Sequence, residues 1–516
     1  MSTSAPVDET ATRGGFSSRK VFIFAAIGSA VGLGNLWRFP YVAYENGGGA
    51  FLIPYLVALL TAGIPFLLLD YAIGHRHRGS APLSFARLNR RTEGIGWWQV
   101  GICFVIAVYY AGVLAWALRY VFFSIDQKWG SDPEGFFFTE FLQISDPGIT
   151  TEPVLGVLVP LFLVWALVIG VLALGVQRGI GVTAAIFIPI LVVTFGILVV
   201  TALFLPGATE GLNSLFTPHW AALAEPTVWA AAFGQIFFSL SIGFGIMITY
   251  ASYAKRDTDM AGSGLVVGFS NSGFELLAGI GVFAALGFLA QAQDVAVDEV
   301  ATAGVGLAFV AFPAIISEAP AGALIGVLFF VSLVIAGLTS LISVAEVVIS
   351  AVRDKLELSR RRATLVVTVP MAVLSLAFLS TTSGLYVLDI VDHFINLFGI
   401  LLVAIVSMVA IAWGARALQD LADHLNADSS SVHLGAWWRV LVGVIAPIAL
   451  VYVLADAFWT DVTTPYGDYP AWMLAIFGWG TAVTVAIVGF LLARVHWRED
   501  TDLTTTGSHG SKGDHA

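Results

Sequence analysis

The chain reads as an all-α polytopic membrane protein with twelve transmembrane helices, on three observations. Of its 516 residues, 58% are hydrophobic and 11% charged, with a mean hydropathy of +0.87, whereas soluble domains carry about 25% charged residues. Apolar runs of roughly 20 residues, the length a helix needs to cross the hydrocarbon core, recur along almost the whole chain. Gly and Pro are scattered through long runs such as 153–204. That suits helices, whose backbone groups bond within one segment, better than the short alternating strands of an outer-membrane barrel.

Taken in order, runs between charged or turn-rich breaks place helices near 19–43, 49–74, 97–124, 153–174, 180–204, 226–252, 262–291, 319–352, 363–380, 384–413, 435–457 and 469–495. The stretch GVQRGIGV at 175–182 divides 153–204 into two of them. The first twenty residues are polar and lack the apolar core and cleavage site of a secretory signal, so the N-terminus is expected to be retained and cytoplasmic. That placement puts 21 of the 24 Lys and Arg residues on the cytoplasmic side and leaves Arg38, Arg119 and Lys128 outside, as the positive-inside rule requires. The acidic loops 125–152 and 292–318 then fall outside and both termini inside. A multi-pass protein of the plasma or inner membrane, in contact with lipid, is expected. The net charge of −11, with no basic stripe, argues against nucleic acid. Cys103, the only cysteine, excludes an intrachain disulfide and cysteine-rich metal sites.

Two helices carry glycine clusters in mid-membrane: Gly28, Gly32 and Gly34 in GSAVGLGN on helix 1, and Gly243 and Gly245 in SLSIGFG on helix 6. Helix 6 comes five spans after helix 1, an odd number, so the two segments cross the membrane in opposite directions. Interrupted helices at matching positions of two inverted halves are how such transporters build a midplane site. Glycines that merely let helices pack closely are the plainer alternative.

The segment GSAVGLGNLWRFPYVAYENGGGAFLIPYL resembles the helix 1–2 signature of the neurotransmitter:sodium symporters, in the style of prokaryotic amino-acid carriers such as the bacterial leucine transporter. The likeness continues through VIAVYYAG, GQIFFSLSIGFGIMITYASY, FSNSGFE, AGLTSLISVAE and GLYVLDIVDHF, to about residue 410. It implies a LeuT-type 5+5 inverted-repeat fold with helices 1 and 6 unwound at the midplane. The expected divisions are an N-terminal tail (1–18), helices 1–5 (19–204), helices 6–10 (205–413), helices 11–12 (414–495) and a C-terminal tail (496–516). It further implies sodium-coupled import, without enzymatic chemistry, of a neutral and hydrophobic amino acid.

By the same resemblance, one sodium ion is ligated by the Ala30 carbonyl, Asn35, Ser239 and Asn271. A second takes carbonyls of Gly28, Val31 and Ala336 with hydroxyls of Thr339 and Ser340. The plainer reading of those two hydroxyls is a bond back to their own helix. Amides at Leu33 and Gly34 and the phenol of Tyr110 would hold a substrate carboxylate. Helix 6 carbonyls near Phe238 and Ser241 would take its amino group, and Ile106, Phe238, Phe244 and Val344 would line its side chain. Monoamine carriers of the family have an aspartate where this chain has Gly32, so the substrate here must bring its own carboxylate. Glu275, four residues after Asn271, replaces a serine of chloride-dependent relatives, in which chloride sits among positions matching Tyr55, Gln235 and Ser239. Chloride independence follows, and a protonatable Glu275 could also return a proton outward.

Arg38 and Asp392, with Phe238, resemble the extracellular gate, Asp389 being the second choice of partner. Arg13, Phe16, Tyr253 and Asp354 match the intracellular gate. Three departures from the leucine carrier stand out: Ser29 for asparagine, Ser239 for threonine, and Glu346 for glutamine. Glu346 either pairs with an N-terminal arginine or is protonated. A proton-coupled carrier and a non-transporting amino-acid receptor on the same fold are the rival functions, and oligomeric state is open.

Overall fold

A computed structural model describes residues 14–301, 304–426, 430–499 and 501–503. Among these, ten helices are long and apolar enough to cross a membrane: Gly49–His77, Arg90–Asp126, Leu155–Ala173, Val176–Leu203, Met260–Gln293, Gly322–Leu356, Arg360–Leu379, Gly384–Ala415, Ala436–Asp468 and Ala471–Leu492. Two broken helices complete the twelve. Helix 1 comprises Arg19–Ala30 (1a) and Leu33–Glu45 (1b), bent by 55° at the break. Helix 6 comprises Pro226–Ser239 (6a) and Ile246–Tyr253 (6b). The long helices above are numbered 2–5 and 7–12 in chain order.

Several helices outrun the apolar windows in the sequence. Helix 3 starts at Arg90 rather than near 97, and helix 8 runs to Leu356 rather than 352. Backbone hydrogen bonding continues past the first charged residue, and the buried charges in the two extensions pair with each other, Lys355 Nζ donating to Glu93 Oε1 at 3.0 Å. The helices form two shells. In the apolar windows of helices 3, 7 and 8, 72%, 78% and 72% of residues are buried, against 28% for helices 5 and 12. The outer helices therefore present apolar faces to lipid, while helices 1, 3, 6 and 8 enclose the centre.

Backbone conformation makes the two breaks. Val31 and Gly32 adopt extended geometry between the halves of helix 1. In helix 6, Ser241, Gly243 and Gly245 have φ of 53°, 86° and 85°. Glycine takes that left-handed region freely; Ser241 does so as a non-glycine and is held by a tertiary bond described below.

Candidate substrate and ion site

The breaks are tied together through one main-chain oxygen. The Ser29 carbonyl, released at the end of helix 1a, accepts from the Ser241 hydroxyl at 2.9 Å and from the Ser340 hydroxyl at 3.1 Å. It thus joins the helix 6 break and helix 8 to the helix 1 break. No sequence signal marked it, because the acceptor is backbone.

A second network crosses the start of helix 1b. The Gly32 N–H donates to Asn35 Oδ1 at 2.9 Å, Asn35 Nδ2 to Asn271 Oδ1 at 2.9 Å, and Asn271 Nδ2 to Ser239 Oγ at 3.1 Å. Three of the expected first-sodium ligands are thereby gathered, all buried and all offering oxygen, the donor that hard cations prefer. Ala30 lines the adjoining cavity.

At the expected second site, the Thr339 hydroxyl donates to the carbonyls of Ile335 and Ala336 at 3.1 and 3.0 Å. The plainer sequence reading therefore holds for its proton. Its lone pairs stay available as ligands, so the two readings do not exclude each other. Ser340 instead points its proton at helix 1. Gly28 sits where a Cβ would stand 3.4 Å from Thr339 Cβ and 2.9 Å from Ile188 Cδ1, so glycine lets helix 1a lie close to helices 5 and 8 without displacing Ile188. Val31 and Ala336 are buried nearby in sequence, in the break and on helix 8.

A cavity of about 360 Å³ opens between the breaks. Ala30, Leu33, Gly34, Ile106, Tyr110, Phe238, Ser239, Ser241, Phe244, Ser340 and Val344 all line it. So do Trp37, Tyr109, Val113, Leu388, Asn396, Ile400 and Tyr466, which sequence reasoning missed. Asn396 had a readable signal, lying one helical turn after Asp392 on the same face. The Leu33 N–H donates to the Tyr110 oxygen at 3.2 Å, leaving the phenolic proton for another acceptor. A Cβ on Gly32 would meet Ser340 Oγ at 2.9 Å and Tyr110 Oη at 3.1 Å; one on Gly34 would lie 2.1 Å from the Phe238 ring. A side chain at either position would have to displace Ser340, Tyr110 or Phe238.

Glu275 is buried beside this network. It accepts from Gln235 Nε2 at 2.6 Å and from the Tyr55 hydroxyl. Two donors facing a carboxylate suit its acceptor-only ionised form.

The cavity continues to Asp389, Asp392 and Tyr466 at the acidic end of the bundle. Arg38 stacks its guanidinium 4.6 Å from the Phe238 ring centre. No carboxylate lies within 4.0 Å of it among the described residues, so the expected Arg38–Asp392 pair is not made; Asp392 is near enough to act on its charge. Asp392 Oδ1 accepts from Asn396 at 2.8 Å instead.

At the basic end, Phe16 is buried against Tyr250 and Tyr253, with ring centres 5.6 and 6.2 Å away, and its N–H donates to the Tyr253 carbonyl at 3.0 Å. Asp354 accepts from the Ser80 N–H at 2.8 Å. Arg13 lies outside the described residues. The partner of Glu346 is not an N-terminal arginine among the described residues: its carboxylate pairs with Arg360 of helix 9 at 2.6 and 2.7 Å and accepts from the Tyr253 hydroxyl at 2.8 Å. The N-terminal Arg19 pairs with Asp259 at 3.4 Å.

The profile of the sodium:neurotransmitter symporter family matches residues 13–131 and 127–499. The chain belongs to that family. This symporter is 42% identical over 462 residues to the uncharacterized sodium-dependent transporter MJ1319 of Methanocaldococcus jannaschii, covering 89% of this chain and 93% of that protein. It is 31% identical to the human sodium- and chloride-dependent GABA transporter 2, over 91% of this chain and 85% of the relative. Its fold superposes on the crystal structure of MhsT in complex with L-phenylalanine with a TM-score of 0.73 and 33% identity, covering 86% of this chain and all of that one. The symporter is thus a multi-pass membrane protein of a sodium-dependent transporter family, built on the 5+5 fold.

Proposed function

We propose that the protein imports a neutral, hydrophobic α-amino acid together with sodium, by alternating access and without a requirement for chloride. The carrying observation is the helix 1 break at Gly32: with Ser340 Oγ and Tyr110 Oη close to where a Cβ would stand, the break itself presents no carboxylate to meet an amine, and the cavity's carboxylates, Asp389 and Asp392, stand on helix 10. The substrate supplies that carboxylate, to Tyr110 and the amides at the start of helix 1b, where the helix dipole favours negative charge. Apolar Ile106, Phe238, Phe244 and Val344 around the rest of the cavity favour a hydrophobic side chain, and L-phenylalanine in MhsT supports the class.

Two sodium ions, one at Ala30, Asn35, Ser239 and Asn271 and one at Gly28, Val31, Ala336, Thr339 and Ser340, would order the broken helices before substrate enters. Residues 19–204 and 205–413 act as the two repeats, with both termini cytoplasmic and the acidic end outside. The arrangement then faces outward, and Arg38 closing onto Asp392 over Phe238 shuts it. Glu275 supplies the charge that chloride supplies elsewhere and, when protonated at the inner side, would carry a proton back.

Uptake into proteoliposomes under an inward sodium gradient tests this. Accumulation unchanged when choline replaces sodium refutes the coupling. A melting screen with sodium present should show stabilisation by neutral amino acids; stabilisation by a monoamine lacking a carboxylate refutes the substrate class. Alkalinisation of a pH dye inside the vesicles during uptake marks the proton return, and its absence removes that step.

A further inference from the structure

We infer that Tyr466, in the last turn of helix 11, and Tyr469, in the connection to helix 12, are positioning residues of the outer gate: they hold Asp389 away from Arg38, so that Asp392 alone closes over the substrate. The inference rests on the reading of Arg38 as that gate.

Two carboxylates, Asp389 and Asp392, stand three residues apart on helix 10 and line the same cavity. Either could take the guanidinium. Both oxygens of Asp389 are already engaged: Oδ1 accepts from the Tyr466 hydroxyl at 3.1 Å and Oδ2 from the Tyr469 hydroxyl at 2.8 Å. Hydrogen bonds to an ionised acceptor are the strong ones, and together they fix the carboxylate's direction. Asp392 accepts from Asn396 on its own helix and lies beside the Tyr109 phenol of helix 3, with no hydroxyl from the end of helix 11 or its connection to helix 12 upon it among the described residues.

The segment that carries the tyrosines is built to keep them there. Pro465 and Pro470 bracket it, and Gly467 and Asp468 turn the chain with φ of 63° and 53°. A Cβ on Gly467 would strike the Tyr469 ring at 2.6 Å, so glycine is required for the two phenols to converge. Tyr466 stacks on His393 with ring centres 3.7 Å apart, and His393 is bonded to Asp461 of helix 11 at 2.8 Å. Below this, Phe394 and Phe398 of helix 10 pack with Met473 and Leu474 of helix 12 in a separate apolar cluster. The connection is therefore docked on helix 10 at several points. Helices 11 and 12, outside the two repeats, gain a task in the transport cycle.

The physical purpose is a weak gate. A guanidinium held by one carboxylate reopens more readily than one held by two. A guanidinium bridged by two carboxylates would be bidentate and slow to release. Freeing Asp389 should hold the outer gate shut for longer.

Turnover and KM are measured in proteoliposomes for Tyr466→Phe and Tyr469→Phe, alone and combined, each also made in an Asp389→Asn background. The tyrosine variants should slow turnover by about threefold to tenfold with KM unchanged or lowered. In the Asp389→Asn background the same substitutions should have no further effect. A slowing that persists there, or a KM that rises with it, makes the tyrosines mere packing and overturns the inference. If the combined variant does not fold, Tyr466→Phe alone gives the same comparison. Full turnover in Arg38→Gln would show separately that the gate reading itself fails.

Discussion

Arg360 clasps the buried carboxylate of Glu346 with both terminal nitrogens, at 2.6 and 2.7 Å, while donating Nε to the Leu172 carbonyl at 2.9 Å. One side chain therefore joins helices 8, 9 and 4 at the basic end. Fork-to-fork geometry of this kind is strong when desolvated. Removing one partner leaves the other charge stranded. Arg360→Met should cost about 3–5 kcal/mol of stability, read as a lowered melting temperature in detergent. Adding Glu346→Gln should recover more than half of the loss. Equal losses in single and double variants would mean that the pair is not the source.

Ser340 and Thr339 are adjacent hydroxyls with different duties. Ser340 bridges to helix 1, whereas Thr339 bonds its own helix. Ser340→Ala should raise the sodium concentration for half-maximal uptake about fivefold to thirtyfold, since it removes both a ligand and a bond across the break. Thr339→Ala removes only a ligand and should do less. The reverse order would place the second ion elsewhere.

Glu275 stands among Tyr55, Gln235 and Ser239. Uptake should be unaffected when gluconate replaces chloride. Glu275→Ser should lose at least about tenfold of the uptake without chloride, the scale of removing a buried charge from a paired site, and regain it when chloride is returned. Loss that chloride does not restore would refute the substitution of one negative charge for another.

His424, on the short helix Leu418–Leu425 between spans, reports acid stability. Its Nε2 lies 3.0 Å from His75 Nδ1. The other His75 nitrogen faces the Lys255 carbonyl at 2.8 Å and so must donate, which leaves Nδ1 to accept from His424. Burial first, then Arg76 and Arg78, push the pKa of His424 down to about 4 from the ordinary 6.5. Between those two values the unfolded chain binds the proton and the folded chain does not. Stability therefore falls as pH is lowered through that window and levels off beneath it. In detergent, His424→Gln should flatten this part of the melting-temperature profile, and an unchanged slope would exclude His424 as its source.

What was legible in the sequence depended on whether the signal was local. Gly32, Gly243 and Gly245 mark backbone breaks because φ and ψ are local properties, and the structure places the breaks there, while Gly28 and Gly34 sit in the flanking helical turns where neighbouring side chains approach closely. Cavity-lining positions such as Tyr110, Phe238 and Val344 followed once those breaks were matched to a known signature. Partners set by tertiary packing were not legible. Glu346 gives no hint of Arg360 fourteen residues on, because the turn between helices 8 and 9 decides that they meet. The tyrosines of PYGDYP look like ordinary loop residues until the helix 11–12 connection is seen docked over helix 10. Helix ends were misplaced because hydropathy stops at the first charge and hydrogen bonding does not.

The Ser29 carbonyl has a consequence for how such a protein tolerates change. Every residue but its own amide geometry can be exchanged at that position without deleting the acceptor, so an alanine scan passes over the point where three helices meet. Its role surfaces only through the donors, Ser241 and Ser340, or through a backbone ester at the following residue, which weakens the oxygen as an acceptor.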